Sequence, residues 1–119
     1  MIDRTHALDL AHEWLAAWNA HDPERVVRHF ADDVVVQSPL AERLRPGSNG
    51  TLSGKDAVLS YYRDGLAMNP GLEFTLVEVC TGIEEITIVY RNHRQTLATE
   101  ALKLRNDGLV SEVRVGYGT

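Results

Sequence analysis

Glu100 is the residue whose setting best suits chemistry. It lies in Thr96-Leu97-Ala98-Thr99-Glu100-Ala101-Leu102-Lys103-Leu104, which alternates as a β-strand does. Residues two apart on a strand share a face. Glu100 therefore points with Leu102 and Leu104 into an apolar surface, while Lys103 and Arg105 point the other way. A carboxylate on such a face is costly unless it is paired, hydrogen-bonded or held protonated. Groups in that position are often functional. The bland alternative is an edge position open to water, or a pair with an arginine such as Arg91.

Other chemistries find less support. The histidines are His6, His12, His21, His29 and His93, none of them in an HxH or HExxH pair, and Cys80 is the single cysteine. No metal site is expected from that spacing, and no cofactor is implied. His29, near the end of a short helix, either faces a pocket mouth or favours the helix C-terminus electrostatically, and the second is preferred. Gly47-Ser48-Asn49-Gly50 lacks the Gly-Lys-Ser/Thr of a phosphate loop. Ser38 lacks a Gly-x-Ser-x-Gly context, so it is no serine nucleophile.

These groups must be held by one domain, residues 1–119, which is long enough to bury a single core. Hydrophobic residues make up 44% and charged residues 24%, an ordinary globular balance. The net charge of −5 disfavours nucleic acid as partner, because phosphate binding wants a basic face. It gives no reason to expect a membrane surface either, and no apolar run approaches a spanning helix. Met1-Ile2-Asp3-Arg4-Thr5-His6 does not read as a signal peptide. Cys80 has no disulfide partner and is expected to pack as a small apolar group. A cytoplasmic protein is the simplest expectation.

Residues 5–20 read as a helix, with Leu8, Ala11, Leu15 and Trp18 at helical spacing and Trp14 beside them. Asp22-Pro23-Glu24 starts a second, short helix: an N-cap acid, proline at the first position, then an acid at the positive end of the dipole. It runs through Phe30 and is closed by Asp32-Asp33. Val34-Val35-Val36-Gln37-Ser38 is a strand. Residues 39–53, with two prolines and two glycines, read as a long loop, either a lid or plain surface. A third helix spans about 54–69, with Ser53 as N-cap and Val58, Tyr61, Tyr62, Gly65 and Leu66 inward. Strands then follow at 72–80, 83–93, 96–105 and 109–117, with Asn106-Asp107-Gly108 as a hairpin turn. The order predicts an α+β fold with helices on one face of a curved antiparallel meander.

Ile86, Ile88, Tyr90 and Asn92 share one face of their strand, and Val113, Val115 and Tyr117 share one face of the last. The inward set is therefore apolar, interrupted by Glu100, Tyr90, Asn92 and Tyr117. Apolar walls with a few placed polar groups describe a small-molecule pocket. Tyrosines that simply cap a core, with hydroxyls at the rim, are the plain alternative.

The layout and local wording resemble the cone-shaped NTF2-like superfamily, in its SnoaL-like and ketosteroid-isomerase-like branch. The residues that carry the resemblance are Trp14-Leu15-Ala16-Ala17-Trp18-Asn19-Ala20-His21-Asp22 and Phe30-Ala31-Asp32-Asp33-Val34-Val35-Val36-Gln37-Ser38-Pro39. Gly54-Lys55-Asp56-Ala57, Glu100-Ala101-Leu102-Lys103-Leu104 and Gly108-Leu109-Val110 complete it. The resemblance implies a curved antiparallel sheet wrapped around three N-terminal helices. It implies function only loosely, since this superfamily hosts isomerases, cyclases, dehydratases, epoxide hydrolases and non-enzymes.

By resemblance, the isomerase branch uses a tyrosine on the first helix, an acid on a late strand and an aspartate before the proline of the first strand. The resemblance implies, for that branch, a carboxylic acid kept neutral at physiological pH. Here Glu100 matches the late acid, but Trp14 stands at the tyrosine position and Ser38 at the proton-shuttle position. Steroid isomerisation by that mechanism is therefore not expected. The polyketide-cyclase branch is similar in using a pocket acid, a role for Glu100 alone or with His29. The epoxide-hydrolase branch needs an Asp-Arg-Asp arrangement, of which Arg91 and Glu100 are at best two parts. The expectation is an acid/base enzyme acting beside a carbonyl on a hydrophobic small molecule. Its pocket is lined by Trp14, Trp18, Ser38, Tyr61, Ile88, Tyr90, Asn92, Val115 and Tyr117. The alternative is a non-catalytic ligand-binding or dimerisation module of the same fold. A homodimer through the outer sheet face is expected, with Val89 and Thr75 or Val77 supplying apolar area.

Overall fold

The computed structural model describes residues 1–118. Helix α1 (Arg4–Asn19) begins at Asp3, whose carboxylate accepts from the His6 N–H at 3.1 Å. It buries Ala7, Ala11, Trp14, Leu15, Ala17 and Trp18. Helix α2 (Pro23–Val27) starts as its sequence dictates: Asp22 accepts from the Arg25 N–H at 3.2 Å, and Pro23 occupies the first turn where no N–H is needed. The second helix ends earlier than expected. Phe30 already belongs to strand β1 (Phe30–Gln37), and Asp32 and Asp33 lie exposed on that strand, where its register with its neighbour shifts.

Residues 39–53 depart most from the sequence reading. They hold helix α3 (Pro39–Leu44) and strand β2 (Thr51–Ser53), which pairs antiparallel with β1. Ser38 caps α3, its hydroxyl accepting from the Leu40 N–H, and Pro39 stands in its first turn. This repeats the Asp22-Pro23 signal. The Glu42 carboxylate then gathers the turn, accepting from the Gly47 N–H at 3.0 Å, the Ser48 hydroxyl at 3.2 Å and the Gly50 N–H at 3.3 Å. Gly50 has φ 77°, and a Cβ there would stand 3.0 Å from the Ser38 carbonyl oxygen, so a side chain at this return would be both strained and crowded. Helix α4 (Lys55–Met68) is capped by Gly54 without a side-chain bond, not by Ser53, which belongs to β2. Its inward stripe is Val58, Tyr61, Tyr62 and Leu66.

Strands β3 (Thr75–Thr81), β4 (Glu85–Arg91), β5 (Leu97–Leu104) and β6 (Val110–Tyr117) form the expected meander. The six-stranded sheet has the order β2-β1-β6-β5-β4-β3 and is antiparallel except for the parallel β1–β6 pair. Gly108, with φ 85°, lets the last hairpin turn. The helices cover the inner face, and the core runs between them through Phe30, Ile86, Ile88, Leu102 and Val113. The ends of α1 are tied to the β3 side. Arg4 donates to the Val79 carbonyl at 2.8 Å, and the Asn19 amide exchanges two bonds with the Phe74 backbone.

Edge strand β3 carries a bulge at Val77, a common way to blunt an open edge. Cys80 is exposed there, against the expectation that it packs inside: it points from an edge strand to the outer face, which no element of the chain covers. No helix of the described residues is long and apolar enough to cross a membrane.

Candidate functional site

Glu100 is inside, as its strand parity requires, and only 5% exposed. On the sheet it lies directly across from Ile88 of β4 and Val115 of β6. Ile88 is fully buried and Val115 half-buried, so both flanks of the carboxyl are apolar. The Tyr90 hydroxyl donates to Glu100 Oε2 at 2.7 Å and is its one hydrogen-bond partner among the described residues. Tyr90 pairs with Ala98, two residues before Glu100, so the phenol reaches the acid diagonally across the ladder.

Burial raises the Glu100 pKa, and the Tyr90 hydrogen bond pulls it down by less, leaving it at about 7. Burial also drives the Tyr90 phenol far above its usual range, with the Glu100 charge adding to the effect. Tyr90 thus stays neutral and donates at any ordinary pH. Glu100 is poised between acid and base near neutrality, the range where proton transfer is most efficient.

An aromatic wall encloses this pair. Phe74 packs against both Trp14 and Tyr90, with ring centroids 5.8 and 4.4 Å away. Trp14 also meets Tyr90 edge-on at 5.3 Å, and Trp18 meets Tyr62 at 4.7 Å. The indole N–H groups of Trp14 and Trp18 and the Tyr62 hydroxyl are buried without a hydrogen-bond partner. Buried polar groups normally find partners, so these three orphaned donors mark an interior whose polar needs the chain itself does not meet. Burial, then the Glu100 charge, raise the Tyr62 pKa well above normal, which places its phenol within the field of the acid.

A second group gathers around Ser38, which is buried at 5% exposure. The Tyr61 hydroxyl donates to Ser38 Oγ at 3.5 Å. Tyr117 is 41% exposed as a residue, but its phenol end is sheltered. Burial first, then the Glu100 charge, push it up to about 12. Ser38 and Val115 line a cleft of about 620 Å³ that also touches Gln37, Glu42, Gly50 and Arg114. A second cleft, of about 610 Å³, lies at the far end of β5 among Glu84, Lys103, Arg105 and Asp107. Neither is lined by Glu100.

Of the residues expected at the site, Trp14, Trp18, Tyr61, Ile88, Tyr90 and Glu100 are buried, Ser38 and half-buried Val115 line the neighbouring cleft, and Tyr117 is more exposed near the end of the last strand. Asn92 does not join them. It lies beyond the end of β4, and its side chain accepts from the Arg94 and Thr96 N–H groups, shaping the turn into β5. Arg91 is exposed and donates to the Gln95 carbonyl, away from Glu100. The backbone carbonyl of His29 accepts from the Val110 N–H at 2.8 Å. Sequence reasoning missed Phe74 and the orphaned Tyr62 hydroxyl. Phe74 shares the inward parity of Leu76 and stood as a usable signal. Among the described residues no cluster of His, Cys, Asp and Glu could hold a metal ion.

Comparison with known proteins agrees with this architecture. The family model described as a SnoaL-like domain matches residues 11–112. A SnoaL-like protein of unknown function from Burkholderia thailandensis E264 is 31% identical, with a TM-score of 0.94 over 99% of this chain and 98% of that one. A candidate isomerase of the SnoaL-like family from Agrobacterium tumefaciens strain C58 is 18% identical, with a TM-score of 0.76 over 97% and 99%. SalBIII, an epoxide hydrolase/cyclase-like enzyme of pyran ring formation in the polyether salinomycin, is 14% identical, with a TM-score of 0.75 over 100% and 95%. At those lower identities the likeness is one of fold. No curated protein matches the chain. The buried late-strand acid, the helices on the inner sheet face and the family match agree: the chain belongs to the SnoaL-like domain family, with the NTF2-like cone fold.

Proposed function

We propose that this protein is a small-molecule enzyme in which Glu100 transfers a proton next to a carbonyl group, as in isomerisation, cyclisation or dehydration. The observation that carries it is the Glu100–Tyr90 pair: one carboxyl, buried among apolar side chains, with a pKa of about 7 and a single neutral donor. Ionised, Glu100 takes the proton from the carbon beside the carbonyl, and Tyr90 steadies the carboxylate as it forms and re-forms. Protonated, it returns that proton to carbon or donates a hydrogen bond to the substrate oxygen. Two of the similar folds belong to a cyclase-like enzyme and a candidate isomerase, which is in keeping with this reading. The steroid-isomerase mechanism itself is not proposed, because Trp14 and Ser38 replace its tyrosine and aspartate.

The test is exchange of α-protons for deuterium in apolar ketones such as 1-tetralone, followed by proton NMR. The wild type is expected to accelerate exchange and Glu100→Gln to lose the acceleration. Acceleration that survives in Glu100→Gln rejects the role of this acid.

A second reading, a ligand-binding module without chemistry, is favoured by one observation. Trp14, Phe74 and Tyr90 pack ring against ring beside the acid's hydrogen-bond partner, Tyr90. A ketone that binds without exchanging would select it. The single cysteine, left without a disulfide partner, supports a cytoplasmic setting. We also propose a homodimer through the outer sheet face. There Thr87, Val89, Thr99 and Ala101 form an uncharged centre beside exposed Thr75 and Val77.

A further inference from the structure

Strand β3 is one edge of the sheet, and its hydrogen bonds to β4 fix which residues face the open side. The Gly82 N–H donates to the Glu85 carbonyl at 2.8 Å, and the register sets Cys80 opposite Thr87. Bonded and unbonded pairs alternate along an antiparallel ladder. Cys80 therefore bonds to β4, while Val79 and Thr81 turn their N–H and C=O groups outward.

At Val79 both outward groups are already taken, by side chains. The Glu78 carboxylate accepts from the Val79 N–H at 2.8 Å. The Arg4 guanidinium donates to the Val79 carbonyl at 2.8 Å and to the same Glu78 oxygen at 3.3 Å. An acid and a base thus stand where a neighbouring strand would bond. Their side chains are 55% and 59% exposed, so these bonds lie at the surface and can be removed without opening the core.

The edge beneath them is self-complementary. A two-fold axis at Cys80 sets Val79 of one copy opposite Thr81 of the other, and the reverse. Every bond of that short ladder needs the N–H or the C=O of Val79, the groups that Glu78 and Arg4 occupy. Glu78 is also the only charged residue of β3, so nothing else along the strand repels a second copy.

We propose that the Arg4–Glu78 pair is an autoinhibitory cap on the β3 edge, and that the partner it excludes is β3 of a second copy of this chain, pairing antiparallel about Cys80. The contact lies on the sheet edge. It depends neither on the outer-face dimer nor on the role of Glu100.

The test reads the pairing through Cys80, which is exposed. The two-fold axis sets it opposite its own copy at an unbonded pair, with Cα atoms about 4.5 Å apart, a spacing that a disulfide spans. Diamide takes up the protons and electrons that two Cys80 thiols release as they join, and non-reducing electrophoresis gives the rate. The double variant Arg4→Ala/Glu78→Ala is expected to cross-link about 10-fold faster than wild type, the weight of one net hydrogen bond. Iodoacetamide is expected to alkylate Cys80 at one rate in both, so that the gain reports pairing and not exposure. Thr81→Pro, added to the double variant, removes an outward N–H and leaves the β4 ladder and the outer face intact. It is expected to return the rate to that of wild type. Glu78→Ala alone keeps the Arg4 bond to Val79 and is expected to give a smaller gain; it decides the matter if the double variant loses its circular dichroism. Cross-linking at the wild-type rate in the uncapped proteins that fold overturns the cap. A gain that survives Thr81→Pro, or that only follows faster alkylation, overturns the edge pairing.

Discussion

The Tyr90 hydroxyl reaches Glu100 Oε2 across one strand boundary, at 2.7 Å, from a diagonal position on the same sheet face. That relationship gives the acid its only hydrogen-bond partner among the described residues. It also replaces, from β4, a phenol that the isomerase-like pattern would place on α1, where Trp14 stands. Because the bond favours the carboxylate, Tyr90→Phe is expected to raise the Glu100 pKa further, by about one unit for the loss of one charge-assisted bond. Carbon-13 NMR titration of the Glu100 side-chain carboxyl reads it directly. A pKa that falls or stays in place means that another donor serves the acid.

The raised pKa of Glu100 has a consequence for stability. Its folded value of about 7 lies above the ordinary 4.5, so the native state holds the proton more tightly than the unfolded chain. The sign follows. Burial of Glu100 costs least below pH 4.5, where it is neutral in both states. The cost grows as pH rises toward about 7 and is constant above. At about 1.4 kcal/mol per pK unit, the full cost is on the order of 3 kcal/mol. Glu100→Gln is expected to remove that slope, so its urea midpoint gains on wild type between pH 5 and pH 8. Parallel pH profiles for the two proteins would contradict a buried, shifted acid.

The site was legible to the extent that it depends on local alternation. Parity along 96–104 placed Glu100 on the same face as Leu102, and parity along 83–93 placed Tyr90 inside. Their contact was not legible, because it depends on the β4–β5 register, which the turn around Asn92 sets. Asn92 has the parity of a pocket residue, but the strand ends before it and its amide is spent on that turn. The 39–53 segment was misread for a different reason. Its prolines and glycines suggest a loop by composition, but Ser38-Pro39 is a helix start of the same kind as Asp22-Pro23. The bonds of Glu42 that order the following turn are tertiary in character and invisible to pattern.

The Tyr62 hydroxyl gives the third prediction. It is buried without a partner, and an unmet buried donor costs up to a few kcal/mol. Tyr62→Phe keeps the ring that packs against Trp18 and Phe30 and removes only that donor. The variant is therefore expected to be more stable than wild type by about 1 kcal/mol in the absence of ligand, measured by urea unfolding. A loss of similar size would show that a bound water or a neighbouring acceptor already satisfies the hydroxyl.

The outer sheet face gives the fourth. Val89 lies at its centre, half-buried, between Glu78 of β3 and Thr99 of β5. Closed dimers of one chain are usually two-fold, so a residue near the centre of the patch lies near its own copy. Val89→Asp would then bring two carboxylates together in a desolvated interface, each with Glu78 opposite it on its own sheet. The side chain points away from the core, so the fold itself has room for the change. Sedimentation equilibrium is expected to give the mass of two chains for wild type and of one for Val89→Asp, with the far-ultraviolet circular dichroism unchanged. A wild-type mass of one chain at all concentrations removes the dimer. A two-chain mass that persists in Val89→Asp moves the interface to another face of the molecule.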